Sequence, residues 1–225
     1  MTISASSVEF LKTLQQNNDR DWFNDHKEIY LKALSDVENF SDGLLADLNS
    51  HDLIETASGK KSLHRIYRDT RFSIDKTPYK NNWGGHFRRA TAQRRGGYYF
   101  HIELGNSYLA GGFWAPNATD LKRIRNGISH EPQTLRDILK GKNFIETFGE
   151  LQGEKVKTAP KGFDVKNEAI DLLRFKQFIL VRKFSDEEVL QPNFINQAGK
   201  TFRNMRPFFD YMSAILTFDD NGESI

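Results

Sequence analysis

Cysteine is absent from all 225 residues, and its absence excludes disulfides, thiolate nucleophiles, cysteine-ligated zinc and iron–sulfur clusters. No apolar run approaches the roughly 20 residues that a membrane-spanning helix needs, so we expect no membrane partner. The opening MTISASSVEF lacks the basic and apolar regions of a secretory signal. These absences predict a cytoplasmic location.

Several enzyme motifs are also missing. The chain has no GxxxxGK(S/T) phosphate loop, no GxGxxG, no GxSxG and no HExxH. The string His101-Ile102-Glu103 is shared with zinc deaminases, but those enzymes need a Pro-Cys-x-x-Cys partner that this chain lacks. The motifs therefore assign no reaction, no catalytic residue and no cofactor, and they leave the oligomeric state open.

What is present is the composition of a folded domain, with 38% hydrophobic and 28% charged residues. A chain of this length buries about 70% of its unfolded surface without covalent staples. It contains no internal repeat, low-complexity linker or evident domain boundary. We therefore predict a single domain over residues 1–217 and a frayed tail over residues 218–225.

Hydrophobic periodicity predicts an α+β fold. Ser6 and Glu9 have the spacing of a capping box that opens a first helix, and apolar residues at helical spacing predict a second helix from Asp19 to about residue 50. Aromatic and β-branched segments between turn residues predict strands. These strand segments are 64–73, 83–89, 98–104, 107–114 and 176–184. The short connections favour an antiparallel sheet of about five strands, flanked by N-terminal and C-terminal helices.

The net charge of +2 is unevenly distributed along the chain. Residues 60–95 contain eleven Lys or Arg and two acidic residues, a net charge of +9 that leaves −7 for the rest. A basic segment of this kind favours an anionic partner, such as a phosphate, a carboxylate or a nucleic-acid backbone. A solvated face of salt bridges would have the same composition.

The densest group of candidate binding residues lies within this segment. Arg68 and Arg71 flank Asp69, and arginine is the residue best suited to bidentate recognition of phosphate or carboxylate. Either Asp69 orients one arginine while the other faces a ligand, or all three form a salt-bridge network without a ligand. Pro78 fixes a turn. Three further candidates project from that turn, namely Lys76, Tyr79 and Lys80.

Two predicted strands add candidates for proton transfer. His86 and Arg88 share one face of a strand, and His101 and Glu103 share one face of the next. In this interpretation arginine and lysine hold the anion, a histidine carries the proton because it titrates nearest neutrality, and Asp69 and Glu103 orient them. His86, His101 and Glu103 also have the composition of a two-histidine, one-carboxylate metal site, although hydrogen-bonded structural histidines are the commoner outcome.

We therefore expect a protein that binds a small anionic ligand in a basic, aromatic-edged pocket, with catalysis there left open. The residues assigned to this pocket are Arg68, Asp69, Arg71, Lys76, Tyr79, Lys80, His86, Arg88, His101 and Glu103. One alternative is a nucleic-acid-binding protein that uses all of residues 60–95, where RGGYYF at 95–100 faintly resembles an RNA-recognition strand. Another is a scaffold or interaction protein without pocket chemistry. A pocket needs converging charges in a concavity, and a scaffold needs a large exposed apolar patch.

A family resemblance rests on five strings in order along the chain. They are NNDRDWF at 17–23, RIYRDTRF at 65–72, DKTPYK at 75–80, GGFWxP at 111–116 and PKGF at 160–163. With these strings the chain resembles the bacterial and fungal family catalogued as domain of unknown function 2461, over about residues 8–215. The resemblance implies a single domain and no particular activity. Relatives often have a His-Pro pair shortly after the PKGF string, where this chain has Asn167-Glu168.

Overall fold

The computed structural model describes residues 2–218. Its strands form a four-stranded sheet in the order β1-β2-β3-β4, so strands that are consecutive in sequence are neighbours in the sheet. The strands are β1 (Trp83–Arg88), β2 (Gly97–Ile102), β3 (Ser107–Phe113) and β4 (Phe178–Phe184). The predicted α+β class, with an antiparallel sheet and flanking helices, is confirmed.

Helices occupy both ends of the described chain and the segment between β3 and β4. They are α1 (Ala5–Gln16), α2 (Arg20–Asp25), α3 (Lys27–Asn49), α4 (Gly59–Ser62), α5 (Ala118–His130), α6 (Pro132–Lys140), α7 (Lys142–Phe148), α8 (Ile170–Leu173), α9 (Asp186–Val189) and α10 (Phe194–Thr217). Within residues 2–218, every helix is too short or too polar to cross a membrane.

The N-terminal helices differ from the sequence prediction in two ways, in the cap of α1 and in a break at His26. The predicted capping box at Ser6 and Glu9 is wrong, because extended Ser4 caps α1 and its Oγ accepts a hydrogen bond from the Ser7 amide at 3.1 Å. Asp19 begins the next helix as predicted, but the single long helix is broken at His26 into α2 and α3. The His26 ring stacks on Trp22 with centroids 4.1 Å apart, and its Nδ1 lies 2.8 Å from the Trp22 carbonyl oxygen. The break therefore has a local side-chain cause.

The chain divides into two compact units. Unit 1 comprises Met1–Phe87, Tyr99–Leu109 and Lys183–Lys200, and unit 2 comprises Arg88–Tyr98, Ala110–Arg182 and Thr201–Ile225. The single-domain interpretation stays a prediction. Residues 219–225 of the predicted frayed tail lie outside the described residues.

The core of unit 1 is aromatic. Phe40 of α3 contacts Phe100 of β2 edge-on and stacks on Phe194 of α10, with centroids 5.7 and 5.6 Å apart. The Trp83 indole N–H donates to the Ser7 carbonyl oxygen at 3.0 Å, which satisfies a buried polar group of α1. Because Phe100 faces this core, alternation along β2 turns Tyr99 and His101 to the opposite face of the sheet.

The core of unit 2 is built on α10. Phe202 and Phe209 contact the fully buried Tyr98 of β2, with ring centroids 5.1 and 5.0 Å apart. Phe202 and Phe209 lie seven positions apart on α10, so both reach Tyr98 from one face of the helix. Gly112 of β3 has φ +134°, and a Cβ there would lie 2.1 Å from the carbonyl oxygen of Phe178. Glycine at this position is required by both the backbone conformation and the close approach of β4.

Candidate functional site

The basic string at 65–80 forms a short paired segment and a loop, not the strand predicted over 64–73. Tyr67 pairs with Tyr79, the Arg68 amide donates to the Pro78 carbonyl oxygen at 2.9 Å, and the Lys80 amide donates to the Ile66 carbonyl oxygen at 2.8 Å. Pairing stops at Pro78, which has no amide hydrogen to continue the ladder. Residues 69–77 then leave as a loop, which we call the basic loop.

The basic loop is braced by its own polar side chains. Asp69 accepts from Arg71 Nε at 2.9 Å and Nη2 at 2.6 Å, a bidentate pair, while Arg68 Nη1 donates to Asp75 and to Thr77 Oγ1. Hydrogen bonds from Arg68 and then from Thr77 lower the pKa of Asp75 to about 2. Each of these two arginines therefore has a carboxylate partner, Arg71 with Asp69 and Arg68 with Asp75.

Tyr79 anchors this segment to the N-terminal helices. Its ring is 4% exposed and stacks on Phe23 of α2 with centroids 4.0 Å apart. The Asn18 side-chain amide donates to the Tyr79 carbonyl oxygen at 3.0 Å, and the Asn18 side-chain oxygen accepts from the Tyr79 amide at 3.1 Å. The side chain of Asn18 thus pairs with Tyr79 as a neighbouring strand would, and it fixes the α1–α2 junction against the base of the basic loop.

Between this junction and the basic loop lies a cleft, which we call the hairpin cleft. It consists of two adjoining cavities of about 480 and 280 Å³ that share Arg20, Thr70 and Pro78. The first cavity is also lined by Asn18, Asp19, Lys76 and Thr77. The second is also lined by Asn24, Tyr67, Arg68 and Tyr79. The cleft therefore combines three cations, side-chain amides and an aromatic edge.

The cations of the hairpin cleft retain donors for a ligand. Arg20 makes no side-chain hydrogen bond or ion pair with residues 2–218, and Arg68 uses only its Nη1 for contacts within that same range. Lys76 Nζ donates once, to the Thr70 carbonyl oxygen at 2.9 Å. Asp19 is the carboxylate in the lining, and it already accepts from the Trp22 amide at 2.9 Å as the cap of α2.

A second polar cluster lies on the face of the sheet opposite Phe100, and we call it the sheet-face network. His101 is 9% exposed, its Nε2 lies 2.9 Å from Glu103 Oε2, and its Nδ1 lies 3.0 Å from the Tyr99 hydroxyl. An ionised carboxylate only accepts, so Nε2 carries the proton that His101 donates to Glu103. Glu103 thereby fixes the tautomer of His101.

Glu103 is itself held by three donors. Asn81 Nδ2 and Asn106 Nδ2 each donate to it at 2.8 Å, in addition to His101. Burial alone would raise the pKa of Glu103, but these hydrogen bonds outweigh burial and lower it. Burial raises the pKa of Tyr99, with Tyr108 and Glu103 adding to the effect. The network thus pairs an ionised carboxylate with a neutral phenol across one imidazole.

His64, His86 and Lys80 lie close to this network. Burial lowers the pKa of His64, and the positive charges of Lys80, His86 and His101 lower it further. Burial, followed by the charge of Arg65, lowers the pKa of Lys80, whose Nζ donates to the Arg65 carbonyl oxygen at 2.8 Å. The surroundings of His64 therefore disfavour its protonated form.

The ten residues predicted for one pocket are thus distributed over several places. Arg68, Lys76 and Tyr79 line the hairpin cleft. Asp69 and Arg71 pair with each other in the basic loop, while Lys80, His86, His101 and Glu103 belong to the sheet-face network or its border. Arg88 is exposed at the end of β1.

The proposed ligand set for a metal does not form. Across residues 2–218, no three side chains of His, Asp or Glu come close enough together to hold a metal ion. His101 and Glu103 are adjacent, but each uses the facing atoms for the other. His86 therefore does not complete a two-histidine, one-carboxylate site in this structure.

Two arginines of the basic segment 60–95 serve the core of unit 2. The Arg89 side chain is 1% exposed and donates to Asp210 at 2.9 Å, while Arg95 pairs with Asp120. Arg89 also lies 5.2 Å from the ring centroid of Phe209. Their charge is therefore neutralised locally, which lowers the charge that residues 60–95 offer to a polyanion.

Sequence reasoning missed the residues that come from distant parts of the chain. Asn18, Arg20 and Asn24 complete the hairpin cleft, but the pairing of Asn18 with Tyr79 joins residues 61 positions apart. The only signal for Asn18 and Arg20 was their place in NNDRDWF. Tyr99 was interpreted only as facing the same way as His101, and its hydroxyl contact depends on rotamers that a pattern does not give.

Comparison with known proteins adds a family and no activity. A family model described as a conserved hypothetical protein (DUF2461) matches residues 6–211. No curated protein and no solved structure matches the chain. The matched range includes every residue of the hairpin cleft and of the sheet-face network.

Proposed function

This chain belongs to the DUF2461 family of conserved hypothetical proteins, and because that family carries no assigned activity, we propose from the site that the protein binds a small anion in the hairpin cleft. The anion is one that bears a phosphate or a carboxylate. The observation that carries the proposal is that Arg20 lines both adjoining cavities of the cleft, while Lys76 lines the first and Arg68 the second. Converging cations in a cleft are what an anion site requires and what a flat solvated face lacks.

The donor geometry favours a small, multiply charged group. Arg20 and Arg68 offer planar forks that match two oxygens of a phosphate or carboxylate, and Lys76 offers a point charge. Tyr67 stands at the rim of the smaller cavity with 56% of its surface exposed, where a flat or apolar part of a ligand can lie. Asn24 adds a neutral amide that can donate to a sugar or phosphate oxygen, while the Asn18 side chain is already paired with the Tyr79 backbone.

Thermal unfolding in increasing concentrations of inorganic phosphate, sulfate and small carboxylates tests the proposal. A ligand that binds only the folded state stabilises by about 2.7 kcal/mol at a hundredfold excess over its Kd. For a chain of 225 residues, this corresponds to a rise in Tm of roughly 5–11 °C. Arg20→Ala and Lys76→Ala should each remove most of this rise.

The matched control is Lys142→Ala, since Lys142 is 85% exposed on α7 and lies outside the cleft. It removes the same charge and should keep the full response to the anion. A Tm that no phosphate, sulfate or carboxylate raises would refute the proposal. An equal response in the Arg20, Lys76 and Lys142 variants would place the anion elsewhere and refute it as well.

A further inference from the structure

The tip of the basic loop holds two large apolar side chains in water. Phe72 is 96% exposed and Ile74 is 101% exposed, while the hydrogen bonds that brace the loop involve their polar neighbours. Isolated apolar residues on a surface are ordinary. Here two of them stand two positions apart on one loop, and the Arg71–Asp69 and Arg68–Asp75 pairs lie on either side of them in the sequence.

The two ends of the basic loop, which we call its neck, line the hairpin cleft with Thr70 on one side and Lys76 and Thr77 on the other. Lys76 Nζ bonds the Thr70 carbonyl oxygen across the neck at 2.9 Å, and Thr70, Lys76 and Thr77 all face the first cavity. Phe72 and Ile74 lie between these neck residues in the sequence. An apolar tip and an anion cleft therefore belong to one nine-residue element, residues 69–77.

Basic residues surround the tip. Residues 65–80 carry five cationic side chains against two carboxylates, Asp69 and Asp75, both of which are paired with arginine. The Arg71 guanidinium lies 6.0 Å from the Phe72 ring centroid. An apolar tip flanked by basic residues complements an anionic lipid bilayer, whose headgroups are negatively charged and whose interior is apolar.

The size of the tip favours a lipid surface over a protein or a nucleic acid. Two side chains of this kind offer roughly 300–400 Å² of apolar area, whereas a stable protein interface needs about 800 Å² on each partner. A single strand of nucleic acid stacks its bases on flat rings, and Ile74 has no ring. Shallow insertion among lipids needs only a small protruding apolar tip.

We propose that the basic loop docks the protein on an anionic lipid surface, with a lipid headgroup phosphate in the hairpin cleft and Phe72 and Ile74 inserted among the lipids. The proposal rests on the proposed function, because it names the source of the anion. The expectation of no membrane partner came from the lack of a spanning run, and peripheral docking needs no such run.

Co-sedimentation with vesicles tests this inference. Wild type should bind vesicles of phosphatidylcholine mixed with phosphatidylserine and should bind pure phosphatidylcholine much more weakly, with binding reduced by added salt. Phe72→Ser/Ile74→Ser should weaken binding by at least about tenfold. It should keep the wild-type rise in Tm with inorganic phosphate, because neither side chain lines the cleft. Arg20→Ala/Lys76→Ala should weaken both vesicle binding and the phosphate response.

The matched control is Ile145→Ser/Val165→Ser, which removes two apolar side chains that are 52% and 59% exposed outside the loop. This control should bind vesicles as wild type does. Phosphate stabilisation without vesicle binding would overturn the docking inference and leave the proposed function standing. Vesicle binding that survives Arg20→Ala/Lys76→Ala would overturn the placement of the headgroup, and so would the absence of phosphate stabilisation. Binding of a single-stranded oligonucleotide in place of vesicles would overturn the lipid assignment.

Discussion

Replacing Glu103 with glutamine tests whether the sheet-face network depends on an ionised carboxylate. Glu103 accepts hydrogen bonds from Asn81 Nδ2 and Asn106 Nδ2, both at 2.8 Å, and from His101 Nε2 at 2.9 Å. Glutamine has almost the same shape, but one of its two terminal atoms can only donate. At least one of the three donors must then face another donor.

The expected loss follows from that mismatch. A part-buried donor left without an acceptor costs about 1–3 kcal/mol. In a chain of 225 residues, Tm falls by about 2–4 °C for each kcal/mol. We therefore expect Glu103→Gln to lower Tm at pH 7 by roughly 2–12 °C.

The effect should depend on pH in a defined direction. Hydrogen bonding lowers the pKa of Glu103 in the folded protein below its ordinary value of 4.5. A lowered pKa contributes stability that is fully present above the unfolded pKa and is lost as pH falls through the folded pKa. The difference in Tm between wild type and Glu103→Gln should therefore be largest near neutrality and should shrink as the solution is acidified below pH 4.5.

Thermal unfolding followed by circular dichroism across this pH range measures the difference directly. Glu146→Gln is the matched control, because Glu146 is 62% exposed and its nearest cation, Lys142, lies 3.9 Å away. It should leave Tm nearly unchanged at every pH. A Glu103→Gln variant as stable as wild type at pH 7, or a deficit that does not change on acidification, would refute the carboxylate-centred network.

Three further substitutions test separate parts of the structure. Gly112→Ala should lower the free energy of unfolding by roughly 3 kcal/mol or more, measured by urea unfolding, because its φ of +134° and a carbonyl oxygen 2.1 Å away both oppose a Cβ; a neutral result would contradict the close approach of β4. Asp210→Ala should cost about 1.5–3 kcal/mol in the same assay, since it removes a carboxylate that accepts a charge-assisted hydrogen bond from the buried Arg89 guanidinium at 2.9 Å, and a loss below about 0.5 kcal/mol would contradict that bond. Arg71→Ala should keep both the wild-type Tm and the phosphate response, because its fork is occupied by exposed Asp69; loss of the phosphate response would move the anion toward the tip of the loop.

Local patterns predicted most of the fold. The face predicted to be shared by His101 and Glu103 agrees with their contact, because side-chain direction in a strand depends only on position. The segment at 64–73 failed for a physical reason. Its composition suits a strand, but its backbone pairs only briefly before Pro78, and side-chain hydrogen bonds hold the remainder as a loop.

The sequence predicted several residues of the candidate site, but it did not predict which of them come together in space. Arg68 and Lys76 line the second and the first cavity of the hairpin cleft, and their assignment to one ligand site stays a prediction. The contribution of Arg20 was not foreseen, since it depends on packing between Phe23 and Tyr79, which are far apart in sequence. His101 and Glu103 were expected beside the arginines, but sheet position alone put them in a separate network.

The side chain of Asn18 that substitutes for a neighbouring strand has a consequence for the order of folding. Its amide satisfies both backbone groups of Tyr79, and the two residues are 61 positions apart. During synthesis, α1 and α2 leave the ribosome before Tyr79. The side of the cleft that these helices form stays without its pairing partner until Tyr79 has been added. A fragment that ends before Tyr79 therefore contains α1–α4 but lacks the backbone groups with which the Asn18 side chain pairs.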